Sequence, residues 1–406
     1  MSRRALLEEA FAVAVAACKR PETIIAALPE RPQGRVLVIA AGKGAVPMAQ
    51  AVEQHWPDAT GLAVTRTGYG GPLARIELIE ASHPVPDAAG QAAAERCLAL
   101  AESAEVDDLL LVLLSGGASA LLAAPAPPLD LSAKQAVTRA LVRSGASIGE
   151  INMVRRHLSR IKGGRLAAAA WPAQVVTLAV SDVVGDVPED IGSGPTVGDA
   201  GTIADAQAVL ARYAIADPGG WSESVKPDDP RLATSSFAVI VRPDDALDAA
   251  SAFLEAQGYE PVILEREAHG DARQAARRHA QAAILAHNSA ERCALISGGE
   301  LTVTVTGSGV GGPNQEYALE LAGQIRDHTG LAALAADTDG VDGNRDVAGA
   351  YVDGATGYAL EKAGIDIESA QIANDAGGVL GQVGALFAPG PTLTNVNDLR
   401  IILVDP

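Results

Sequence analysis

Aromatic side chains are scarce in this 406-residue chain, with four Phe, three Trp and six Tyr. So few rings leave little on which the bases of a single strand could stack, and the cores must be built from Ala, Val, Leu and Ile. Cysteine is scarcer still. Cys18, Cys97 and Cys293 are odd in number and far apart, which excludes a disulfide framework and a CxxC metal pair and suits a reducing, cytoplasmic setting. Positive charge is in deficit: 31 Lys and Arg stand against 50 Asp and Glu, a net charge of −19. A chain this acidic is repelled by nucleic acid and by anionic membranes. Long apolar runs are also missing, since Leu109 to Leu114 is far short of the ~20 residues a membrane-spanning helix needs. Arg3-Arg4 ahead of Val15-Ala16-Ala17-Cys18 imitates a lipoprotein leader, but Glu8 and Glu9 interrupt its apolar region and the segment reads as an amphipathic helix.

What is present is a globular composition, 48% hydrophobic and 20% charged, long enough for two or three domains. In the first half, short apolar runs (Val36 to Ala41, Leu62 to Thr65, Ile76 to Glu80, Leu109 to Leu114, Val175 to Val180) alternate with helical stretches. Runs apolar at nearly every position suit strands buried on both faces, so a Rossmann-like α/β domain with a mainly parallel sheet is expected. Pro218, Pro227 and Pro230 punctuate a breaker-rich stretch, which places a domain boundary at 232/233. Residues 233–406 read as a smaller mixed α/β domain: strand Phe237–Val241, helix Asp244–Gln257, a short strand Val262–Leu264, then a long helix to His287. Leu301–Thr306 alternates strictly, which indicates a separate antiparallel strand with one wet face.

Chemistry concentrates in turns after strands, where open α/β sheets place their ligands. Gly42-Lys43-Gly44 joins a strand to a helix and offers amides and an ammonium to an anion. It is neither a P-loop nor a complete GxGxxG. Ser115-Gly116-Gly117-Ala118-Ser119 can form a backbone nest with two hydroxyls. Gly192-Ser193-Gly194 is a second such turn. Ser147 and Glu150 form a capping box; the helix after it carries Ile148, Ile151, Val154, Leu158 and Ile161 on one stripe and Asn152, Arg155, Arg156, Ser159 and Lys162 on the other. A basic stripe reads first as a solvated face, yet in so acidic a chain it also suits an anionic ligand. Asp182, at a strand's C-terminal end, can hold Mg2+ or accept a hydroxyl proton. Gly307 to Gly312 matches GxGxxG and argues for a nicotinamide cofactor, but the strand before it alternates where a dinucleotide fold has a fully buried one. The polar clusters Asp337 to Gly343 and Thr392 to Asp398 could orient hydroxyls.

Taken in order, Ala41-Gly42-Lys43, Ser82-His83-Pro84-Val85-Pro86-Asp87, Leu114-Ser115-Gly116-Gly117-Ala118-Ser119, Glu150-Ile151-Asn152, His157 to Leu166, Ser181-Asp182-Val183, Ser193-Gly194-Pro195-Thr196, Ser297-Gly298-Gly299-Glu300, Asn314-Gln315-Glu316, Thr338-Asp339-Gly340 and Thr394 to Arg400 resemble the class II glycerate kinase family. These are the D-glycerate 2-kinases with a C-terminal MOFRL domain, some of them labelled hydroxypyruvate reductases. The resemblance covers nearly the whole chain. It implies a Rossmann-like N-terminal domain, a MOFRL-type C-terminal domain, an active-site cleft between them, and ATP- and Mg2+-dependent phosphorylation of the 2-hydroxyl of D-glycerate or a related 2-hydroxy or sugar acid. The family's catalytic lysine falls on Lys43. Read from the residues themselves, Asp182 would bind the metal or accept the hydroxyl proton, the turns of Ser115, Gly116, Gly117, Ser119, Gly192, Ser193 and Gly194 would cradle nucleotide phosphates, and Asn152, Arg155, Lys162, Glu300, Asn314, Glu316, Asp339 and Asn395 would line the hydroxy acid. A homodimer is one admissible assembly. The chain departs from the family at Pro313, where arginine is usual, at Asp337 and Leu393, where glycine is usual, and at Gly149, where aspartate is usual. Arg242 is the first candidate to replace the guanidinium missing at 313. A hydroxypyruvate-type NAD(P)H reductase and a non-catalytic sugar-acid-binding paralogue are the alternatives from other classes.

Overall fold

A computed structural model describes Met1–Pro406, and the chain divides into two compact units, Lys19–Val241 and Met1–Cys18 with Arg242–Pro406. No helix is long and apolar enough to cross a membrane.

The Lys19–Val241 unit contains β1 (Val36–Ala41), β2 (Thr60–Arg66), β3 (Ile76–Ala81), β4 (Leu109–Leu114), β5 (Gln174–Val180) and β6 (Ser235–Val241). They form one sheet in the order β3-β2-β1-β4-β5-β6, parallel throughout. The parallel sheet follows from the apolar runs: every residue of β1 and β4 is buried, because helices cover both faces of a parallel sheet. Chain order reverses between β1 and β4, so the carboxyl ends of these strands flank the switch point at which such sheets open a crevice.

The boundary expected at 232/233 lies at 241/242 instead. Ser235–Val241 is the edge strand β6, parallel to β5, and the proline-rich stretch before it is a loop of the same unit, held by Asp199 N–H to the Val225 carbonyl (2.8 Å) and Val225 N–H to that of Gly163 (3.0 Å). Prolines mark where chain leaves regular structure, which need not be where a core ends. The first helix, Arg3–Ala17, belongs to the other unit: Phe11 meets the ring of Phe387 edge-on at 5.1 Å, and Arg4 donates to the carbonyls of Gly384 and Leu386.

That second unit contains β7 (Glu260–Asp271), β8 (Cys293–Thr302), β9 (Leu331–Asp337), β10 (Gly349–Asp353), β11 (Leu386–Phe387) and β12 (Asp398–Val404), in the order β11-β10-β9-β12-β8-β7. Only β7 and β8 pair in parallel, so the sheet is mixed, as expected. Two local expectations fail. β7 runs to Asp271, which caps the helix Ala272–Asn288, so residues 265–271 read as helix are strand. β8 continues through Gly298-Gly299, with Gly299 at φ +83° beside a shift in the β7 register. It stops at Thr302, so Leu301–Thr306 is not a strand of its own. Ala272, Ala275, Ala276, Ala280 and Ala283 line the buried side of the long helix, which is how a chain poor in aromatics packs a helix closely.

Candidate active site

In the Lys19–Val241 unit, the turns after β1 and β4 are stitched together. Gly42 is at φ +124°, and a Cβ there would lie 2.2 Å from Ser115 Oγ, so only glycine fits. Lys43 N–H donates to the Gly116 carbonyl at 2.9 Å and Gly44 N–H to Ser115 Oγ at 2.9 Å. Gly117, at φ +90°, faces the His83 ring, 3.1 Å from where its Cβ would be, and the Lys43 stem at 3.7 Å. Lys43 is therefore buried (7% exposed) against the Ser115–Ser119 turn, at the switch point. The amides of Gly116 and Gly117 find no acceptor in the chain.

The second glycine turn differs from expectation. Gly192, Ser193 and Gly194 are all at positive φ, but Ser193 N–H and Gly194 N–H close the turn on the carbonyls of Asp190 and Ile191. These two amides are not open to a phosphate. The turn instead meets the Ser115–Ser119 turn through its side chain: Ser193 Oγ lies 2.7 Å from Ser119 Oγ and donates to Asn152 Oδ1 at 3.3 Å. Lys162 Nζ adds bonds to the carbonyls of Ser119 (2.8 Å) and Gly192 (3.4 Å).

The capping box at Ser147 and Glu150 is present, and the apolar stripe is buried at Ile151, Val154, Leu158 and Ile161, but the polar stripe behaves contrary to its composition. Ile148 is exposed, whereas Asn152, Arg156, Ser159 and Lys162 are buried and Arg155 is half-buried. The basic stripe is not a solvated face. Arg156 pairs with Asp190 and Asp199, both at 3.2 Å, and Asn152 donates to Asp190 at 3.0 Å. Asp182 is half-buried just beyond β5, the strand beside β4. No cluster of three or more His, Cys, Asp or Glu able to enclose a metal exists.

In the other unit the polar residues share a different centre. Asp342 accepts from the N–H groups of Asn314 (3.1 Å) and Gln315 (2.9 Å) at the start of the helix Pro313–Gln324, an approach that Gly312 permits because its Cβ would lie 2.4 Å from Asp342 Oδ1. Asn314 Nδ2 donates to Asp398 Oδ1 at 2.6 Å, and Asp398 is paired with buried Arg400. Arg400 also donates to the Gly298 and Gly299 carbonyls, next to Glu300. Thr338 joins the last two loops, its Oγ1 donating to the Asn397 carbonyl and accepting from Val396 N–H. The end of β8 that carries Glu300, the helix start that carries Asn314, and the loops of Asp339 and Asn395 thus come together. Burial pushes the Asp342 carboxyl up to about 7, reinforced by the charge of Asp398 and opposed by the Gln315 and Asn314 donors; burial also raises Asp398.

Glu316 is set apart. It lies two residues beyond Asn314, about 200° around a helix, and its carboxylate accepts from Arg273 Nε at 3.1 Å, so it holds two helices together. Arg242 is exposed at the start of the helix Pro243–Ala256, and the guanidinium that reaches Glu316 is that of Arg273. Gly307–Gly312 is no dinucleotide loop: the amides of Gly307, Gly309 and Val310 bond Asn374 Oδ1, the Ala373 carbonyl and Asp375 Oδ1, and Cβ atoms at Gly307 and Gly309 would collide with that backbone. The residues missed by sequence reasoning are Lys134 and the Asp190–Arg156–Asp199 bridge. Lys134 carried no local signal, whereas the bridge announces itself in the density of charge on the stripe.

Comparison with known proteins gives the same outline. A model described as a domain of unknown function (DUF4147) matches residues 6–225 and that of the MOFRL family matches residues 293–398. A D-glycerate 2-kinase of Thermotoga maritima is 38% identical over 93% of this chain and 92% of its own. An Agrobacterium vitis protein with the provisional name hydroxypyruvate reductase is 43% identical over 100% of this chain and 95% of its own. The crystal structure of a Thermotoga maritima glycerate kinase superposes with a TM-score of 0.86 at 36% identity, covering 98% of each chain.

Proposed function

The chain belongs to the class II glycerate kinase family, and from that premise we propose that it is a kinase transferring a phosphoryl group from ATP to the 2-hydroxyl of D-glycerate or a closely related small 2-hydroxy acid. The observation that carries this reading is Lys43, buried at the switch point against a glycine turn whose Gly116 and Gly117 amides have no acceptor in the chain. Charge stabilisation by positioned donors is the main catalytic demand of phosphoryl transfer.

Lys43 neutralises charge on the transferred group, and Gly116 and Gly117 donate to its oxygens. Ser115 and Ser119 set the shape of that turn, Ser115 through Gly44 N–H and Ser119 through Ser193. Asp182 accepts the proton of the attacking hydroxyl. Magnesium normally retains waters and takes one or two carboxylates plus substrate phosphates; half-buried Asp182 is the carboxylate that would hold it, and the ion would supply further neutralisation of phosphate charge. Asn152 and Arg155 orient the acid in this unit. Within the other unit, Asn314 is held in place by Asp342 and Asp398, and Asp339, Asn395 and Glu300 are the hydroxyl-orienting candidates of that unit's own polar cluster. The closed Gly307–Gly312 loop favours a kinase over a nicotinamide-dependent reductase.

A panel of small hydroxy acids assayed for ATP consumption, with NADH oxidation run in parallel and the product's phosphate position read by NMR, tests the proposal. ATP-dependent 2-phosphoglycerate formation is expected. Oxidation of NADH without ATP turnover would overturn it, and inactivity of both with retained binding of the acid would favour a non-catalytic binding protein.

A further inference from the structure

Three cations of the Lys19–Val241 unit have no carboxylate within ion-pair distance, in a chain of net charge −19. Lys134, on the helix Leu131–Arg143, is buried and donates to the Leu158 carbonyl at 2.9 Å. Lys162 is 1% exposed and donates only to the carbonyls of Ser119 and Gly192. Half-buried Arg155 has a single long contact, 3.4 Å to Asn152 Oδ1, which leaves most of its donors without a partner. The acids nearby are engaged elsewhere: Asp190 and Asp199 with Arg156, and Glu223 with Lys226. Polar groups link two of the three, from Lys162 through Ser119, Ser193 and Asn152 to Arg155, while Lys134 bonds the Leu158 carbonyl at the end of the helix that carries Arg155.

Buried charge without a counter-charge is costly, and a fork of guanidinium donors matches a planar oxyanion. We propose that Arg155, with Lys134 and Lys162 behind it, forms a subsite for the oxyanion of a small ligand, carboxylate or phosphoryl, and that this ligand rather than the protein completes the charge balance. The proposal deepens the site that the kinase reading gives to Arg155, and which of the two sources supplies the oxyanion rests on that reading.

A proton linkage follows. Burial pushes Lys134 down to about 7, helped by the charges of Arg155 and Arg165, and holds Lys162 well below the ordinary lysine range, helped by Lys134 and Arg155. Around these lysines Arg165 donates only to the carbonyls of Arg156, Lys162 and Ser222, and its nearest acids, Asp199 and Glu223, are those already paired. A bound anion favours the ammonium form, so binding takes up protons near neutral pH and weakens as the pH rises.

Isothermal titration of the full chain with inorganic phosphate, D-glycerate and the non-hydrolysable analogue AMP-PNP, each in two buffers of different ionisation enthalpy, reads affinity and proton uptake together. At least one probe should bind with proton uptake and lose affinity between pH 6.5 and 8.5. Arg155→Gln should weaken it about 30-fold or more, as loss of one partner of a desolvated charge pair does. Lys134→Met should weaken it roughly tenfold and diminish proton uptake. Lys134→Arg, which keeps a charge that cannot titrate, should restore affinity without that uptake, and covers the case in which Lys134→Met does not fold. A response confined to D-glycerate identifies a carboxylate site, and one confined to AMP-PNP a phosphoryl site. Binding of inorganic phosphate alone, with the expected variant effects, would sustain the subsite and sink the kinase reading. Absence of proton-coupled binding for every probe, or affinities untouched by both Arg155→Gln and Lys134→Met, would overturn the subsite.

Discussion

The two units differ in how much buried charge they leave unanswered, for beside the paired Arg156 the Lys19–Val241 unit also buries cations that have no carboxylate. In Lys19–Val241, Lys134, Arg155 and Lys162 lean on carbonyl and amide oxygens and lack a carboxylate partner. In the other unit the buried acids are answered inside the protein: Asp342 by the first amides of a helix, Asp398 by Arg400 and Asn314, Glu316 by Arg273. The second cluster is balanced in charge inside the protein although Asn314 Oδ1, Gln315 Oε1 and Glu316 Oε1 keep no hydrogen-bond partner, whereas the first is satisfied in hydrogen bonds at its two lysines but left without counter-charge. The contrast teaches that density of charged motifs alone does not separate the two.

The sharpest way to break the contrast is Arg400→Met. It strands Asp398 and should cost the Arg242–Pro406 unit about 3–5 kcal/mol, the usual penalty for removing one partner of a buried ion pair. Hydrogen exchange in β8, β9 and β12 reads that loss. All three tryptophans, Trp56, Trp171 and Trp221, lie in the other unit, so their fluorescence unfolding should stay unchanged; a parallel loss there would end the description as separately organised clusters.

Lys43→Ala should lower turnover by about 10²-fold or more, the effect of removing one preorganised electrostatic donor, with the tryptophan unfolding curve intact. Near-normal turnover would remove Lys43 from the chemistry. Pro313→Arg returns to the helix start the guanidinium that the family resemblance places there, and D-glycerate affinity should then rise on the order of tenfold by titration. A decrease would mean that this site has been reshaped for a different acid.

The units should also respond oppositely to pH. Asp342 has its folded value raised to about 7 from 3.8, so the folded state holds the extra proton between those values and stability of that unit falls as pH rises from about 4 to 7. Lys134 has its folded value lowered to about 7 from 10.5, so the unfolded state holds the extra proton and stability of the other unit rises from about pH 7 to 10.5. Asp342→Asn should flatten the first slope in hydrogen exchange and Lys134→Met the second in tryptophan fluorescence. The smallest effect expected is at Leu393, a bulky residue at φ +61° where glycine is usual in the family: Leu393→Gly should stabilise by about 1 kcal/mol in denaturant unfolding, relief of left-handed strain outweighing the added chain entropy.

Much of the framework was legible because its signals are local. Val36–Ala41 and Leu109–Leu114 read as doubly buried strands, and Gly42, Gly117 and their neighbours as turns at the strands' carboxyl ends; both readings need only residue type and spacing. Lys43 could be found for the same reason, since it sits inside such a turn. The misreadings share the opposite cause. Ser235–Val241 pairs with β5 at the far edge of the sheet, and residues 265–271 extend beside β8; strand pairing is a long-range choice that overrides local helix preference.

By itself, then, the sequence determined the alternation of buried strands and helices, the glycine turns that end them, and the acidic, aromatic-poor character that sets which ligands are tolerated. Only the tertiary structure decided which charges lose their water. Asn152, Arg156 and Lys162 are hydrophilic on any scale, yet packing buries them; Glu316, in a motif beside Asn314, is turned to Arg273 instead; and Lys134, an ordinary lysine on an amphipathic helix, becomes a titrating group near neutrality. The physical reason is that desolvation and counter-charge are properties of a three-dimensional neighbourhood, contributed by residues tens of positions away, and no local spacing encodes them.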